Sequence, residues 1–286
     1  MELFLDLLRS VVYGVIEGIT EWLPISSTGH MILAEQVLKF SLSAEFMEMF
    51  RVVIQLGAIM AVVVLYFKKL WPFCGDNGCD SGLAKHIRWP VLRLWLKIIV
   101  ACLPAAVLGL LLDDWMDAHF YNSVVVAVML IVYGIAFILI ERRPRVPATT
   151  KLSRITYKQA IIIGAWQVLA LIPGTSRSGA TIIGGLLCGM SRACASQFTF
   201  FLAIPVMAGA SGLKLVKFLV GGGVFTVAEV GALLVGCIVA FVVSIMAIRF
   251  LMDYVKKHTF TAFGWYRIAL GIVVLGVWAL QTFVLV

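Results

Sequence analysis

Two short polar segments in an otherwise apolar chain hold the residues that could do chemistry. The first runs Glu17-Gly18-Ile19-Thr20-Glu21-Trp22-Leu23-Pro24-Ile25-Ser26-Ser27-Thr28-Gly29-His30, the second Pro173-Gly174-Thr175-Ser176-Arg177-Ser178-Gly179-Ala180-Thr181. Glu17 and Glu21 are four apart and share one face of a helix. Two carboxylates so placed suit a hard divalent cation, Mg²⁺ or Ca²⁺, or proton transfer. Ser26, Ser27, Thr28 and Gly29 follow Pro24 and open a second helix, whose hydroxyls and unpaired backbone N–H groups form an anion site. His30 can sit beside Ser27 as base or acid. Ser176, Ser178, Gly179 and Thr181 repeat the pattern around Arg177, whose guanidinium fits a phosphate bidentately and stabilises charge on a phosphoryl group. Two facing anion nests, two carboxylates and one histidine read as a site for phosphate chemistry.

Those groups must be positioned inside lipid. Hydrophobic residues make up 62% of the 286 positions and charged ones 13%, which excludes an ordinary soluble domain. Crossings are predicted near 46–67, 94–112, 123–141, 196–218, 225–248 and 263–285 from apolar runs close to the span of a bilayer. Glu2, Asp6 and Glu17 argue against a cleavable signal peptide at the N-terminus. Ionisable groups at membrane depth are costly, so both segments are expected to be functional.

The net charge of +8 sorts by loop: Lys68 to Arg93, Arg142 to Lys158, and Arg249 to Lys257 are basic, whereas 113–117 is acidic and Gly221-Gly222-Gly223 uncharged. The positive-inside rule places the basic loops in the cytosol, so the excess is an orientation signal rather than a nucleic-acid footprint. Counting crossings from there, 1–45 begins and ends outside, and 156–195 begins and ends at the cytosolic side. Both polar segments therefore enter the membrane and return, with prolines and glycines to break their helices.

The pairs Gly14/Gly164, Glu17/Gln167, Ser26/Ser176, Thr28/Ser178 and Gly29/Gly179 are each 150 positions apart. The expected architecture is an all-α polytopic membrane protein of one domain. It is an inverted-topology repeat (about 1–145 and 150–286) with six transmembrane helices and two re-entrant helical hairpins meeting near the midplane. Cys102, Cys188, Cys194 and Cys237 read as packing residues. Cys74 and Cys79 fall in a loop assigned to the reducing cytosol, where neither a disulfide nor a zinc site is expected.

Both segments closely resemble the signature motifs of the undecaprenyl-diphosphate phosphatase (bacitracin-resistance) family. The likeness extends through Gln55-Leu56-Gly57, Ser191-Arg192, Phe198-Thr199-Phe200-Phe201-Leu202-Ala203-Ile204-Pro205 and Tyr266-Arg267. It implies an enzyme of the bacterial cytoplasmic membrane, acting at the outer face, that removes one phosphate from the C55 lipid carrier diphosphate with Mg²⁺ or Ca²⁺. The product re-enters cell-wall synthesis, and the activity confers bacitracin resistance. By motif, the resemblance implies Glu17, Glu21, Ser27, His30 and Arg177 as catalytic residues, Glu17 and Glu21 also holding the metal. Ser26, Thr28, Gly29, Ser176, Ser178, Gly179, Thr181 and Arg267 would bind substrate. Ser27, His30 and a metal-activated water stay open as nucleophile. The implied partners are polyprenyl diphosphate and membrane lipids, with no nucleic acid; a homodimer is compatible. A transporter or flippase for a phosphorylated polyprenyl lipid is the competing class, because binding needs the same anion site but no nucleophile with its base. A lipid phosphatase built on two histidines fits poorly, since His86, His119 and His258 lie in loops or turns.

Overall fold

The computed structural model describes residues 2–38, 40–74, 86–142 and 146–283. Cys79, Lys85, Arg143 and Arg145, and the side chains of Asp113, Asp114 and Asp117, lie outside the described residues. The α-helices are α1 (Glu2–Thr20), α2 (Ser27–Val37), α3 (Ala44–Val53), α4 (Gln55–Leu65), α5 (Phe67–Leu70), α6 (Trp89–Phe120), α7 (Ser123–Glu141), α8 (Tyr157–Val168), α9 (Arg177–Leu187), α10 (Arg192–Val220), α11 (Val227–Lys257) and α12 (Thr261–Phe283). No strand occurs among the described residues, only the isolated bridges Phe73 to Ile87 and Thr149 to Met190. Six helical runs are long and apolar enough to span a bilayer: Ala44–Leu65, Trp89–Leu112, Ser123–Glu141, Arg192–Val220, Val227–Lys257 and Thr261–Phe283. All six expected crossings are present, and the chain is a multi-pass membrane protein.

Helix α1 shows why water is the wrong solvent. Its buried face is Asp6, Ser10, Tyr13, Gly14, Glu17 and Gly18, while Leu3, Phe4, Leu8, Val11 and Val12 are exposed. That is an amphipathic helix turned inside out, polar toward protein and apolar toward hydrocarbon. Helix α11 does the same with Leu234, Ile238, Val242, Met246 and Phe250 exposed at every fourth position. Its opposite stripe of Ala232, Gly236, Ala240 and Ser244 is buried. Gly14 and Gly18 of α1 pack on that small-residue stripe, letting the backbones approach where apolar burial offers no drive between helices.

The contacts fix the course of the short helices. Along α1, Leu7 meets Gly231 near the start of α11, and Gly18 meets Ala240 and Val243 halfway along it. Then α2 runs back, and Gln36 accepts a hydrogen bond from Gln281 at the end of α12 (2.6 Å). The α1–α2 segment thus begins beside the start of α11 and ends beside the end of α12. In the second such segment Tyr157 starts α8 under the Lys97 ammonium, Gly164 packs on Ala101 of α6, and Gln159 bonds the Cys188 carbonyl after α9 (3.0 Å). So α1 of the first half lies on α11 of the second, and α8 of the second on α6 of the first. Between them α7 and α12 cross at Gly134 and Gly264.

The basic loops share one end, where Lys69, Arg88, Lys151 and Met252 line one crevice and Glu141, Arg192 and Lys256 another. One expectation is corrected there: Cys74 is disulfide-bonded. The prediction rested on compartment, which bears on whether a disulfide persists, whereas the fold holds the two ends of the loop together at its base. That base is closed by the Phe73–Ile87 bridge and by the Cys74 N–H donating to the His86 carbonyl (2.8 Å).

Candidate active site

Both hairpins turn back through a serine in a rare conformation. Ser26 (φ 73°, ψ 107°) and Ser176 (φ 69°, ψ 119°) are the positive-φ non-glycine residues among those described. Such a backbone costs roughly 1–3 kcal/mol and persists only where the surroundings hold it. Each break also frees carbonyls that a continuous helix would have satisfied. Arg267, wholly buried, supplies the donors: its guanidinium bonds the carbonyls of Pro24 (3.3 Å), Gly174 (2.8 Å) and Thr175 (2.9 Å), and those of Met129 and Leu130 (3.4 Å each). One side chain ties the two breaks to each other and to the middle of α7. Gly174 (φ 89°) has no room for a side chain, since a Cβ would sit 2.5 Å from the Val126 carbonyl oxygen.

Held this way, the starts of α2 and α9 converge. Ser27, first residue of α2, donates its hydroxyl to Glu21 Oε2 at 3.0 Å. Arg177, first residue of α9, donates Nη2 to Glu21 Oε1 at 3.0 Å and Nη1 to the Thr199 carbonyl at 3.1 Å. Its guanidinium lies 5.9 Å from the ring centre of buried Trp22. Its Nε is buried and has no hydrogen-bond partner. Glu21 thus joins a hydroxyl on one oxygen to a guanidinium on the other, across 156 residues of sequence.

This cluster opens on a cavity of 460 Å³. Its polar lining includes Glu21, Ser27, Thr28, Gln55, Gln167, Ser176 and Arg177; its apolar walls come from α6 (Ala105, Ala106, Leu110) and α10 (Val206, Met207, Leu213). A short charged head and an apolar chain would both be accommodated. Gln55 reaches it because the first crossing is interrupted at Ile54, between α3 and α4.

The other expected site residues fall into two groups. Ser176 caps α9 by accepting from the Gly179 N–H (3.2 Å) and lies 3.2 Å from the Ser178 hydroxyl. Thr181 donates to the Arg177 carbonyl (2.9 Å) and accepts from Thr199 (2.9 Å), so it braces the helix start. The Ser26 hydroxyl is buried without a partner, and buried Gly29 packs between Leu130 and Leu270. Both ring nitrogens of His30 are engaged by groups other than the Ser27 hydroxyl. Its Nδ1 is 2.7 Å from the Ser26 carbonyl, its Nε2 2.7 Å from the Tyr266 hydroxyl, and the two rings stack. Arg267 is spent on backbone and is absent from the cavity lining.

Glu17 lies one turn behind Glu21, 1% exposed, and its Oε1 has no partner. An orphaned carboxylate oxygen beside a cavity-facing carboxylate is an oxygen-only donor set of the kind a hard cation takes. Among the described residues no cluster of three or more His, Cys, Asp or Glu could hold a metal. Glu17 and Glu21 would therefore need phosphate oxygens and water to complete a coordination shell.

Sequence reasoning missed Thr199, Tyr266 and Gln167. The first two stand in segments that carried the family likeness, and Gln167 stood only as the repeat counterpart of Glu17; none has a spacing that predicts contact with Arg177, His30 or the cavity.

The bacitracin resistance protein BacA family matches residues 10–273 of the chain. The undecaprenyl-diphosphatase of Enterococcus faecalis is 59% identical over 278 residues, 96% of this chain and 99% of that protein. The undecaprenyl-diphosphatase of Lactococcus lactis subsp. lactis is 57% identical over 275 residues, 95% and 96% of the two chains. That of Desulfitobacterium hafniense is 55% identical over 285 residues, 98% of each.

Proposed function

The chain belongs to the bacitracin resistance protein BacA family, and we propose that it hydrolyses undecaprenyl diphosphate to undecaprenyl phosphate and inorganic phosphate. The observation that carries the mechanism is the Ser27–Glu21–Arg177 array, with hydroxyl to carboxylate and carboxylate to guanidinium each at 3.0 Å. The diphosphate enters between the starts of α2 and α9, its prenyl chain along the apolar wall of α6 and α10. Ser27 Oγ attacks the terminal phosphorus, its proton passes to Glu21, and the bond from that phosphorus to the bridging oxygen breaks, the oxygen leaving with the lipid phosphate. Undecaprenyl phosphate leaves as a stable anion, and water then cleaves the phosphoserine. Arg177 and the free N–H groups of the helix starts neutralise charge on the phosphoryl oxygens, the dominant need in phosphoryl transfer.

In this reading Glu17 and Glu21 would hold Mg²⁺ or Ca²⁺, which neutralises phosphate charge when bound. His30 is a positioning residue that holds the Ser26 carbonyl and hence the strained break, and Arg267 is the brace of both breaks. The halves 1–145 and 150–286 are an inverted repeat, and the hairpins are re-entrant. The reading is supported by the two serines of matching φ and ψ and by the reciprocal packing of α1 on α11 and α8 on α6. The basic end faces the cytosol, on the charge argument, and the membrane is the bacterial cytoplasmic membrane, on the family likeness. The cavity serves a substrate delivered from the outer leaflet, and the product feeds cell-wall precursor synthesis.

The test is phosphate release from undecaprenyl diphosphate by purified protein in detergent, with chelator in one arm and Ser27→Ala in another. Release that the chelator and the variant both abolish supports the mechanism. Release unchanged in Ser27→Ala would move the attack to water. No release by wild type, with lipid diphosphate still bound, would make the protein a carrier instead.

A further inference from the structure

Among the described residues, Gln167 is a cavity-lining side chain whose burial the mechanism above leaves unexplained. It stands at the end of α8, 2% exposed, beside the cavity that Glu21, Ser27 and Arg177 line. Both its Nε2 and its Oε1 are buried without a hydrogen-bond partner. Native proteins pair such groups, and one that stays unpaired calls for an explanation. An apolar residue of the same length would avoid the desolvation penalty, so packing gives no reason for an amide here.

The sequence register sharpens the point. Gln167 is 150 positions after Glu17, and Leu171 holds the matching place to Glu21. The first hairpin therefore carries the carboxylates and the second carries a neutral amide. A further carboxylate facing the cavity would repel a diphosphate, whereas an amide donates to its oxygens without adding charge.

We propose that Gln167 is a substrate-binding residue whose Nε2 donates to a phosphate oxygen of the lipid diphosphate held by Arg177. Its Oε1 accepts from a water bound with that head group. The inference rests on the phosphatase reading above and adds the residue that recognises the head group from the second hairpin.

Gln167→Met keeps the length and removes both polar atoms. Steady-state kinetics on undecaprenyl diphosphate should show kcat/KM lowered about 10- to 100-fold, the effect of a lost hydrogen bond to a charged group, mostly in KM. Thermal unfolding of the ligand-free variant should occur at or above the wild-type temperature, because no partner is lost. Gln167→Glu, the same size, should raise KM further, with partial recovery as the pH is lowered. An unchanged KM in both variants, or a fall in unfolding temperature that tracks the fall in activity, overturns the proposal. If wild type releases no phosphate in the same assay, the phosphatase reading fails instead, and the two failures are told apart by that control.

Discussion

Removing Arg177 tests the array most directly, because the side chain has two separable jobs. In the free protein it is 11% exposed and neutralises Glu21, itself 8% exposed. In the proposed reaction it would also face the phosphoryl oxygens, and its buried Nε has no hydrogen-bond partner in the free protein. Loss of an arginine clamp of this type lowers phosphoryl transfer about 10³- to 10⁵-fold, so Arg177→Ala should retain less than a thousandth of wild-type turnover. The substitution also leaves Glu21 as an uncompensated buried carboxylate, a cost of about 3–5 kcal/mol in stability. Arg177→Ala/Glu21→Gln removes that penalty and should regain most of the stability without regaining activity. Arg177→Lys keeps charge but not the fork that spans Glu21 and the Thr199 carbonyl, and should fall between wild type and Ala. Phosphate release and thermal unfolding in the same detergent give both quantities. A tenth of wild-type turnover in Arg177→Ala, or activity restored by the double variant, would refute the reasoning.

Other outcomes follow from particular contacts. His30→Ala should lower turnover about 100-fold or more because it releases the Ser26 carbonyl at a strained break. Tyr266→Phe loses only the hydroxyl contact to His30 and should stay within about tenfold of wild type; equal losses in the two would contradict this. Arg267→Ala should destabilise by about 3 kcal/mol or more, since it strips donors from carbonyls of both breaks; an unchanged unfolding temperature would count against its role as brace. Gly164→Ala puts a Cβ 2.3 Å from the Ala101 carbonyl oxygen and should cost at least about 1–3 kcal/mol. Gly212→Ala, on α10 with nothing within 4 Å, should be neutral or stabilising by up to about 1 kcal/mol; unfolding curves for the pair check the contrast.

Much of the molecule is legible in the chain itself. Apolar runs of bilayer length mark all six spans, because a lipid-exposed helix must be apolar over its whole crossing and composition alone records that. Proline, glycine and serine mark both breaks, since few other residues end a helix and offer free N–H groups at the next one. Glu21, Ser27 and Arg177 announce themselves by residue type, as ions and hydroxyls that lipid would reject without a purpose.

What the chain could not reveal is who meets whom. Spacing joins Ser27 to His30, three residues along a helix, yet the folded protein turns His30 to Tyr266 and gives Ser27 to Glu21. Arg267 reads as one more cation for an anionic substrate, but five backbone carbonyls from three separate segments surround it. Gln167 reads only as a neutral echo of Glu17 until its burial beside the cavity is seen. Local rules act over one helical turn and one loop, so sequence fixes residue chemistry and helix limits. The pairing that closes the array joins Glu21 to Arg177, 156 positions apart, and only the packing of the two broken helical segments against each other decides it.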